Sequence, residues 1–485
     1  MTQEKKYIDG LTSASPLTGR EVLMNGDIGE YFSEATLYKN RIKVQFENLR
    51  QLSASGFKYI RQLTQEDQNR LKFMADTVPD TDVIKACKYD HFGYDGIGPF
   101  EHDVKATEYV VRDTIKYAGF KDMSEFVHFP FTSEDVSNIA YNIMIMDVMN
   151  KAWLPSILGV CDRLETLSRN YAYTPVLGLT HGQPASTTTI GKRFAYFLNN
   201  IIDALEEINK IKLDAKCSGP VGNHNAMMAL YPEFDYEAYA EKFVQSFGFD
   251  YCTIANQRNT HIRIQRLLKL VSEVNTILYD LSENVWLGLS YGWLNQLSEK
   301  SHVGSSVMPH KTNPWTFESA EGYAQISNAL IRGAEEGLCV SRMERDLSDH
   351  PWERMYGEMF GYSIIAMNRI SKGLENIVAN KEKCIEDLEK NPQILTEAIQ
   401  LAGRMTGVTN LYDKMKELTK GAKEITLGDL RAVVLQTITD PDMLAKLMDL
   451  TPRNYVGLAP QLANEACGRY LCFKSKLNER IAACK

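Results

Sequence analysis

A stripe of apolar residues spaced three and four positions apart constrains the fold of this chain more than any other feature. Its members are Ile264, Leu267, Val271, Val274, Leu278, Leu281 and Val285. This heptad spacing is typical of a long α-helix that packs lengthwise against other helices. The periodic stretch around the stripe, residues 258–298, predicts a helix of about 60 Å at ~1.5 Å per residue.

Four further apolar stripes predict more long helices. They lie in residues 139–164, 190–211, 317–338 and 355–377. Pro155 is expected to kink the first, because proline lacks a backbone N–H and its ring clashes with the preceding turn. Together with an amphipathic helix over 31–54, the pattern predicts an all-α protein built around a long-helix bundle. Several stripes are apolar on more than one face, which fits associating bundles and a single thick core equally well.

The composition excludes several classes of function. Asp and Glu number 62 against 54 Lys and Arg, a net charge of −8, so the basic excess of a nucleic-acid binder is missing. The nine cysteines form no CxxC pair, which disfavours a zinc module or disulfide framework and indicates a reducing, cytoplasmic environment. No signal peptide is visible, and no uninterrupted apolar run reaches the ~18 residues of a membrane helix. We expect no membrane partner.

Several common catalytic motifs are also missing from the sequence. We find no P-loop, no GxGxxG in a βαβ context, no HExxH and no GxSxG. The histidines are scattered without the spacing of metal ligands. Kinase, hydride-transfer and zinc-hydrolase activities therefore have little support.

Two polar strings, residues 128–138 and 177–192, interrupt the helical patterns. In the first, Thr132 and Ser133 precede two acidic residues, which predicts a helix N-cap and could also bind a carboxylate. The cap alone is the simpler interpretation. In the second, His181 is expected in a loop between small residues, where it could serve as a general acid or base or be an ordinary surface histidine. The local pattern favours neither.

A third polar string, residues 300–318, lies between two predicted long helices. Ser305, Ser306, Lys311 and Asn313 supply hydroxyl, cationic and amide donors, and Gly304 frees the backbone. Such a loop could close over an anion. A flexible surface connection is the alternative, and the concentration of polar groups favours the anion-binding loop.

The third string also carries a family resemblance. Residues 304–314, GSSVMPHKTNP, match every specified position of GSSxMPxKxNP, the pattern of the fumarase/aspartase superfamily. Within it, the chain resembles the adenylosuccinate lyase family. The strings that carry this resemblance are SPLTGR (15–20), EHDVKA (101–106), TSEDVSN (132–138), THGQPAS (180–186), GPVGNHNA (219–226), SRMERDLSD (341–349) and TPRNYVG (451–457).

The resemblance implies an all-α fold of three domains, with divisions expected at 1–121, 122–372 and 373–485. The family forms homotetramers whose central helices build a shared core and whose active sites draw on several subunits. Its reaction is β-elimination of fumarate from adenylosuccinate to give AMP, and usually also from the succinyl-carboxamide ribotide SAICAR to give AICAR. No metal or organic cofactor is expected.

The resemblance also implies a role for individual residues. Ser305 would be the base that removes a proton beside a carboxylate, and His181 would be the acid that protonates the leaving nitrogen. An anti elimination needs these two groups on opposite faces of the substrate. The residues expected to bind substrate are Arg20, His102, Asp103, Thr132, Ser133, Gln257, Lys311, Asn313, Arg345, His350 and Arg354.

Two positions depart from the family pattern, and both concern the nucleotide end of the substrate. Glu21 follows Arg20 where the family usually has Tyr, and we expect its carboxylate to point away from a phosphate. His350 stands where the family usually has Ser, and it could still donate to a phosphate, more strongly when protonated.

Two other interpretations remain. One is a different lyase of the superfamily, such as an argininosuccinate or carboxymuconate enzyme, which the TSEDVSN, RDLSD and TPRNYVG strings disfavour. The other is a non-catalytic relative that kept the fold. The presence of Ser305, His181, Lys311 and Asn313 argues against it.

Overall fold

Helices dominate the computed structural model, which describes residues 3–297, 308, 312–419 and 425–483. The α-helices are α1 Gln3–Asp9, α2 Ile28–Tyr31, α3 Glu34–Ala54, α4 Gln65–Asp76, α5 Asp80–His91, α6 Asp103–Tyr117, α7 Ser133–Val148, α8 Leu154–Asn170, α9 Ile190–Ile208, α10 Asn225–Leu230, α11 Tyr236–Gln245, α12 Ile262–Ser290, α13 Trp315–Gly337, α14 His350–Glu353, α15 Tyr356–Glu375, α16 Lys381–Glu389, α17 Thr396–Met405, α18 Leu411–Thr419, α19 Leu427–Thr437, α20 Pro441–Asp449 and α21 Ala459–Ala483. The predicted all-α fold class is confirmed.

The heptad stripe forms the buried face of α12. All seven of its apolar residues are buried, and the helix has 29 residues, about 44 Å at ~1.5 Å per residue. It is shorter than predicted at both ends. His261 precedes it with a left-handed φ of 57°, and Gly292 follows it with a φ of 73°. Both conformations lie outside the α-helical region, so the helix stops while the apolar pattern continues.

The helix around Pro155 is distorted where the sequence predicts it. Residues Met149–Trp153 form a π-helical turn between α7 and α8, and the Leu154 N–H donates to the Met149 carbonyl, five residues back. A wider turn of this kind gives the proline ring room beside the preceding carbonyls. The remaining stripes are confirmed as α9, α13 and α15.

The strands are few and short. They are β1 Pro175–Thr180 and β2 Gln183–Thr189, an antiparallel pair; β3 Asp214–Ala215 and β4 Asp250–Tyr251, a parallel pair; and β5 Leu294–Gln296 and β6 Ile377–Ala379, antiparallel. The string 177–192, expected as a loop, is therefore mostly the β1–β2 hairpin. His181 and Gly182 form its two-residue turn with φ values of 53° and 73°, and such turns match the twist of paired strands.

The described residues form two compact units. Unit 1 comprises Met1–Ile157, Glu207–Thr276 and Tyr323–Ala366, and unit 2 comprises Leu158–Glu206, Ile277–Gly322 and Met367–Lys485. The three-domain division implied by the family resemblance stays a prediction.

One helical stretch, residues 133–170, is long and apolar enough to cross a membrane by length and composition alone. Core helices of soluble proteins meet the same criterion, so this is weak evidence for a membrane span. Glu134, Asp135 and Asn138 are buried polar residues within it.

Candidate active site

A cavity of about 930 Å³ lies within unit 1. The predicted binding residues that line it are His102, Asp103, Thr132, Ser133, Gln257, Arg345, His350 and Arg354. They come from segments far apart in the sequence. The fold therefore brings most of the predicted binding residues to one place.

Two helix N-termini meet at this cavity. His102 caps α6, where its Nδ1 accepts from the Lys105 N–H at 3.2 Å. Thr132 caps α7 as predicted, and its N–H donates to Asp135 Oδ2 at 2.9 Å. Ser133 Oγ lies 3.4 Å from His102 Nε2 and so links the two ends. Unpaired N–H groups at helix N-termini favour anions, so this side of the cavity suits a carboxylate or phosphate.

The guanidinium groups of Arg345 and Arg354 line another side of the cavity, and Asp103 pairs with Arg354 and with the buried Arg41. Its Oδ2 lies 2.6 Å from Nη1 of the buried Arg41 and accepts from Arg354 Nη2 at 3.2 Å. Burial acts to raise the pKa of Asp103, but the Arg41 guanidinium outweighs it and lowers the pKa to about 2. Arg354 Nε also donates to Glu34 Oε1 at 3.1 Å. Asp103 is thus ionised and fixes Arg354 at the cavity wall.

His350 begins α14 beside these groups, with 28% of its side chain exposed. Burial lowers its pKa, and the positive charges of Arg345 and Arg354 lower it further. The imidazole is therefore neutral at pH 7 when no anion occupies the cavity.

The Gln257 backbone is held on both sides. Its carbonyl accepts from Lys216 Nζ at 2.7 Å, and its N–H donates to the Glu344 carbonyl at 3.1 Å. These bonds fix the segment from which the Gln257 side chain lines the cavity.

Other predicted site residues lie elsewhere. Arg20 is exposed and is not among the residues that line this cavity, whereas the neighbouring Glu21 is buried and so does not share its surface. His181 is exposed in the β1–β2 turn of unit 2, and Asn313 is half-buried in the same unit. Ser305 and Lys311 lie outside the described residues.

Comparison with known proteins identifies the family. Residues 30–326 match the family model described as "Lyase", and residues 341–456 match "Adenylosuccinate lyase C-terminal". An adenylosuccinate lyase of Legionella pneumophila (strain Corby) is 34% identical over 456 residues, which cover 94% of this chain and 98% of the relative. The chain belongs to the adenylosuccinate lyase family. The enzyme of Escherichia coli (strain K12) is 32% identical over 463 residues, 94% of this chain and 99% of the relative.

Solved structures of the superfamily share the fold of this adenylosuccinate lyase family member. A fumarate lyase from Mesorhizobium sp. BNC1 matches with a TM-score of 0.72 and 16% identity, over 91% of this chain and 97% of the other. A β-carboxy-cis,cis-muconate cycloisomerase from Acinetobacter calcoaceticus sp. ADP1 matches with a TM-score of 0.70 and 17% identity, over the same shares. The predicted family and lyase class are confirmed.

Sequence reasoning missed a buried group of ionisable residues next to the cavity. Glu134, His261, Asp349 and Glu353 are at most 3% exposed, and Arg345 joins them to the cavity. Only the acidic character of the TSEDVSN and RDLSD strings hinted at two of them. These residues meet only in the tertiary structure, so the sequence motifs of an adenylosuccinate lyase do not reveal the group.

Proposed function

We propose that this protein releases fumarate from adenylosuccinate to give AMP, and from SAICAR to give AICAR, by β-elimination. The observation that carries the proposal is the unit 1 cavity, which collects the binding residues expected for this substrate in a chain of that family. Its size, about 930 Å³, falls within the range of small-molecule sites.

The cavity offers two kinds of anion-binding group, and the substrate has anions at both ends. The helix N-terminus at Thr132, with Ser133, suits the carboxylates of the succinyl part, and the helix N-terminus at His102 suits the nucleotide end. The guanidinium of Arg354 and the imidazole of His350 suit the phosphate. We place the substrate with its succinyl part toward α7 and its phosphate toward α14.

Bond cleavage requires a base, an acid and stabilisation of the negative charge that develops on the carboxylate. We assign these roles to Ser305, to His181, and to Lys311 with Asn313. Arg20 would bind at the nucleotide end. The family forms homotetramers with active sites built from several subunits, and we infer the same assembly here, in the cytoplasm.

An absorbance assay with purified protein tests the proposal. Adenylosuccinate should be consumed with formation of equal amounts of AMP and fumarate, and SAICAR should react as well. Argininosuccinate is the matched control, because it releases fumarate from a guanidino group without any nucleotide. Turnover of argininosuccinate and not of adenylosuccinate would contradict the proposal.

A further inference from the structure

The buried group beside the cavity is compact. Nitrogen and oxygen atoms of Glu134, His261 and Glu353 lie within 4.8 Å of one another. His261 Nε2 is 3.5 Å from Asp349 Oδ2 and 3.8 Å from Glu353 Oε1. These four residues are called the acidic cluster below. Its members come from the first turn of α7, the residue before α12, and the α14 segment.

Many polar atoms of the acidic cluster lack a hydrogen-bond partner among the described residues. They are Glu134 Oε1, His261 Nδ1 and Nε2, Asp349 Oδ1, and Glu353 Oε1 and Oε2. Buried polar atoms are rarely left this way, because each loses its bonds to water without replacement. These atoms therefore need a bound proton or a bound cation as a partner.

The charges of the cluster show what is missing. Its three carboxylates face two guanidiniums, since Arg345 Nη1 lies 3.5 Å from Glu134 Oε2 and Arg258 Nη1 lies 3.7 Å from Asp349 Oδ2. The nearby cations Lys216 and Arg41 are each 2.6 Å from other carboxylates, Asp135 and Asp103. Among the described residues, the cluster is also faced by the ionisable side chains of Tyr141, His350 and Tyr356. With the His261 imidazole uncharged, three carboxylates against two guanidiniums leave one negative charge uncompensated, and a net buried charge is costly.

We infer that the acidic cluster holds one proton at neutral pH, carried mainly by Glu353, and that this proton keeps Arg345 available to an anion in the cavity. Glu353 is the carrier because, among the described residues, no guanidinium or ammonium is paired with its carboxyl oxygens; their neighbours are the imidazoles of His261 at 3.8 Å and His350 at 3.9 Å. Glu134 and Asp349 each have a guanidinium within 3.5 Å. Glu353 is a positioning residue that acts through Arg345.

The expected pKa shifts of the three carboxyls favour Glu353. Burial raises the pKa of Glu353 well above its usual value, and the charges of Glu134 and Asp349 raise it further. Burial raises the pKa of Glu134 as well, but the positive charge of Arg345 opposes that rise. Burial also acts to raise the pKa of Asp349, but the neighbouring His261 imidazole and the positive charge of Arg345 lower it overall. Loss of the shared proton would place a further negative charge beside Arg345. That charge would compete with substrate for the guanidinium.

Urea unfolding of Glu353→Gln across pH 5–9 tests the inference without any substrate. A carboxyl whose pKa is raised by folding stabilises fully below its unfolded pKa, and this stability is lost as pH rises through the folded pKa. Glutamine stays neutral, so the variant should match or exceed the wild-type urea midpoint at pH 7. Its advantage should grow with pH.

Asp349→Asn is the matched control within the same cluster. Its carboxyl has a lowered pKa, so its stabilisation is present above the unfolded pKa and is lost as pH falls through the folded pKa. The variant should have a lower urea midpoint at pH 7, and the deficit should shrink on acidification. Glu353→Gln that unfolds as easily as Asp349→Asn at pH 7, or that fails to fold, would overturn the inference, because a neutral amide should replace a protonated carboxyl with little loss of stability.

A metal cation bound in the acidic cluster could supply the positive charge instead of a proton. Unfolding of the wild type and of Glu353→Gln tests this alternative. Addition of Zn²⁺ or Mn²⁺ to the wild type, or of a chelator, should leave its urea midpoint unchanged. A midpoint that rises with the metal in the wild type and not in Glu353→Gln would replace the proton with a metal ion.

The link to Arg345 is tested by kinetics and rests on the proposed function. In the wild type, KM for adenylosuccinate should rise as the cluster loses its proton at alkaline pH, while Glu353→Gln should show a flatter KM profile with kcat within about threefold. A lowered kcat at unchanged KM would refute the link. If neither protein turned over adenylosuccinate, the proposed function would be contradicted. The urea unfolding experiments, which need no substrate, would still decide whether Glu353 carries the proton.

Discussion

The residues expected for the reaction occupy two regions that hold polar side chains in different ways. In unit 1, His102, Asp103 and Arg354 are fixed by helix caps and ion pairs around a cavity. In unit 2, His181 is exposed at the tip of a two-residue hairpin turn. In the first region, hydrogen bonds and ion pairs fix the position of each side chain. In the second region, the His181 imidazole is exposed to solvent.

The contrast suggests a division of labour between binding and proton transfer. Groups already held by neighbours can bind the charged ends of a substrate without being reorganised first. A general acid needs access to the proton acceptor and freedom to change charge. Substitutions in the unit 1 cavity should therefore change mainly KM or stability, and substitutions of His181 or Ser305 should change mainly kcat.

The largest effects are expected for the two groups assigned to proton transfer. Ser305→Ala and His181→Ala should each lower kcat by roughly 10²–10⁴, the usual scale for a general acid or base. KM should change little in Ser305→Ala, because a methyl group fits where the hydroxyl was. Steady-state kinetics measures both, and Ser305→Ala should also stop exchange of the abstracted proton with solvent.

Ser306→Ala controls for damage to the same segment, and its kcat should fall much less. Mixing the two inactive variants should restore some activity through hybrid oligomers if the groups come from different subunits. A kcat close to the wild-type value in Ser305→Ala would contradict the assignment of Ser305 as the base. His302 or His310 would then be the next candidates.

The next largest effect is expected from Asp103→Asn. The substitution leaves the Arg41 guanidinium, whose side chain is 1% exposed, without its counter-ion, and breaking a buried ion pair costs about 3 kcal/mol. The pKa of Asp103 is lowered to about 2, so its stabilisation is present above the unfolded value near 3.8 and is lost as pH falls through about 2. Urea unfolding should show the deficit at pH 7 and its disappearance in acid.

Asp90→Asn is the control for this variant in the same cavity. Asp90 is buried and accepts from the Tyr38 hydroxyl at 2.8 Å rather than from a guanidinium. An amide oxygen can accept the same bond, so the urea midpoint should fall less than in Asp103→Asn. Equal losses would show that burial, and not the guanidinium pair, sets the cost.

The parts of the fold that follow from local chemistry could be predicted from the sequence. The heptad stripe of α12 and the Thr132 cap of α7 depend on residues within a few positions of one another, and both are present. The hairpin that carries His181 was expected as a loop, although Thr187, Thr188 and Thr189 form a β-branched run of the kind that favours strands.

The parts that depend on distant residues could not be predicted in this way. Glu134 and Glu353 are 219 positions apart, and no pattern in either segment indicates that their carboxyls meet in the interior. The binding residues of the cavity were found through the family motifs, whereas the charge balance around Arg345 became visible only with the contacts of the fold.

The smallest effect, and the finest test of the binding region, is expected at His350. Because burial and two arginines lower its pKa, the free protein protonates it only below its usual value of 6.5. An imidazolium binds a phosphate more strongly than a neutral imidazole does, by about 1 kcal/mol. Wild-type KM should therefore improve about fivefold, relative to His350→Ser, as pH falls from 7.5 to 5.5.

The phosphate itself titrates near pH 6 and changes KM in both proteins, so the informative quantity is the ratio of the two KM values at each pH. His224→Ser is the control, because burial also lowers the pKa of His224 but its side chain contacts the Tyr251 hydroxyl at 3.3 Å and does not line the cavity. Its KM ratio to the wild type should stay flat. A flat ratio for His350→Ser as well would mean that the phosphate does not bind next to His350. Arg20 would then be the residue to examine next, and the binding region would extend beyond the unit 1 cavity.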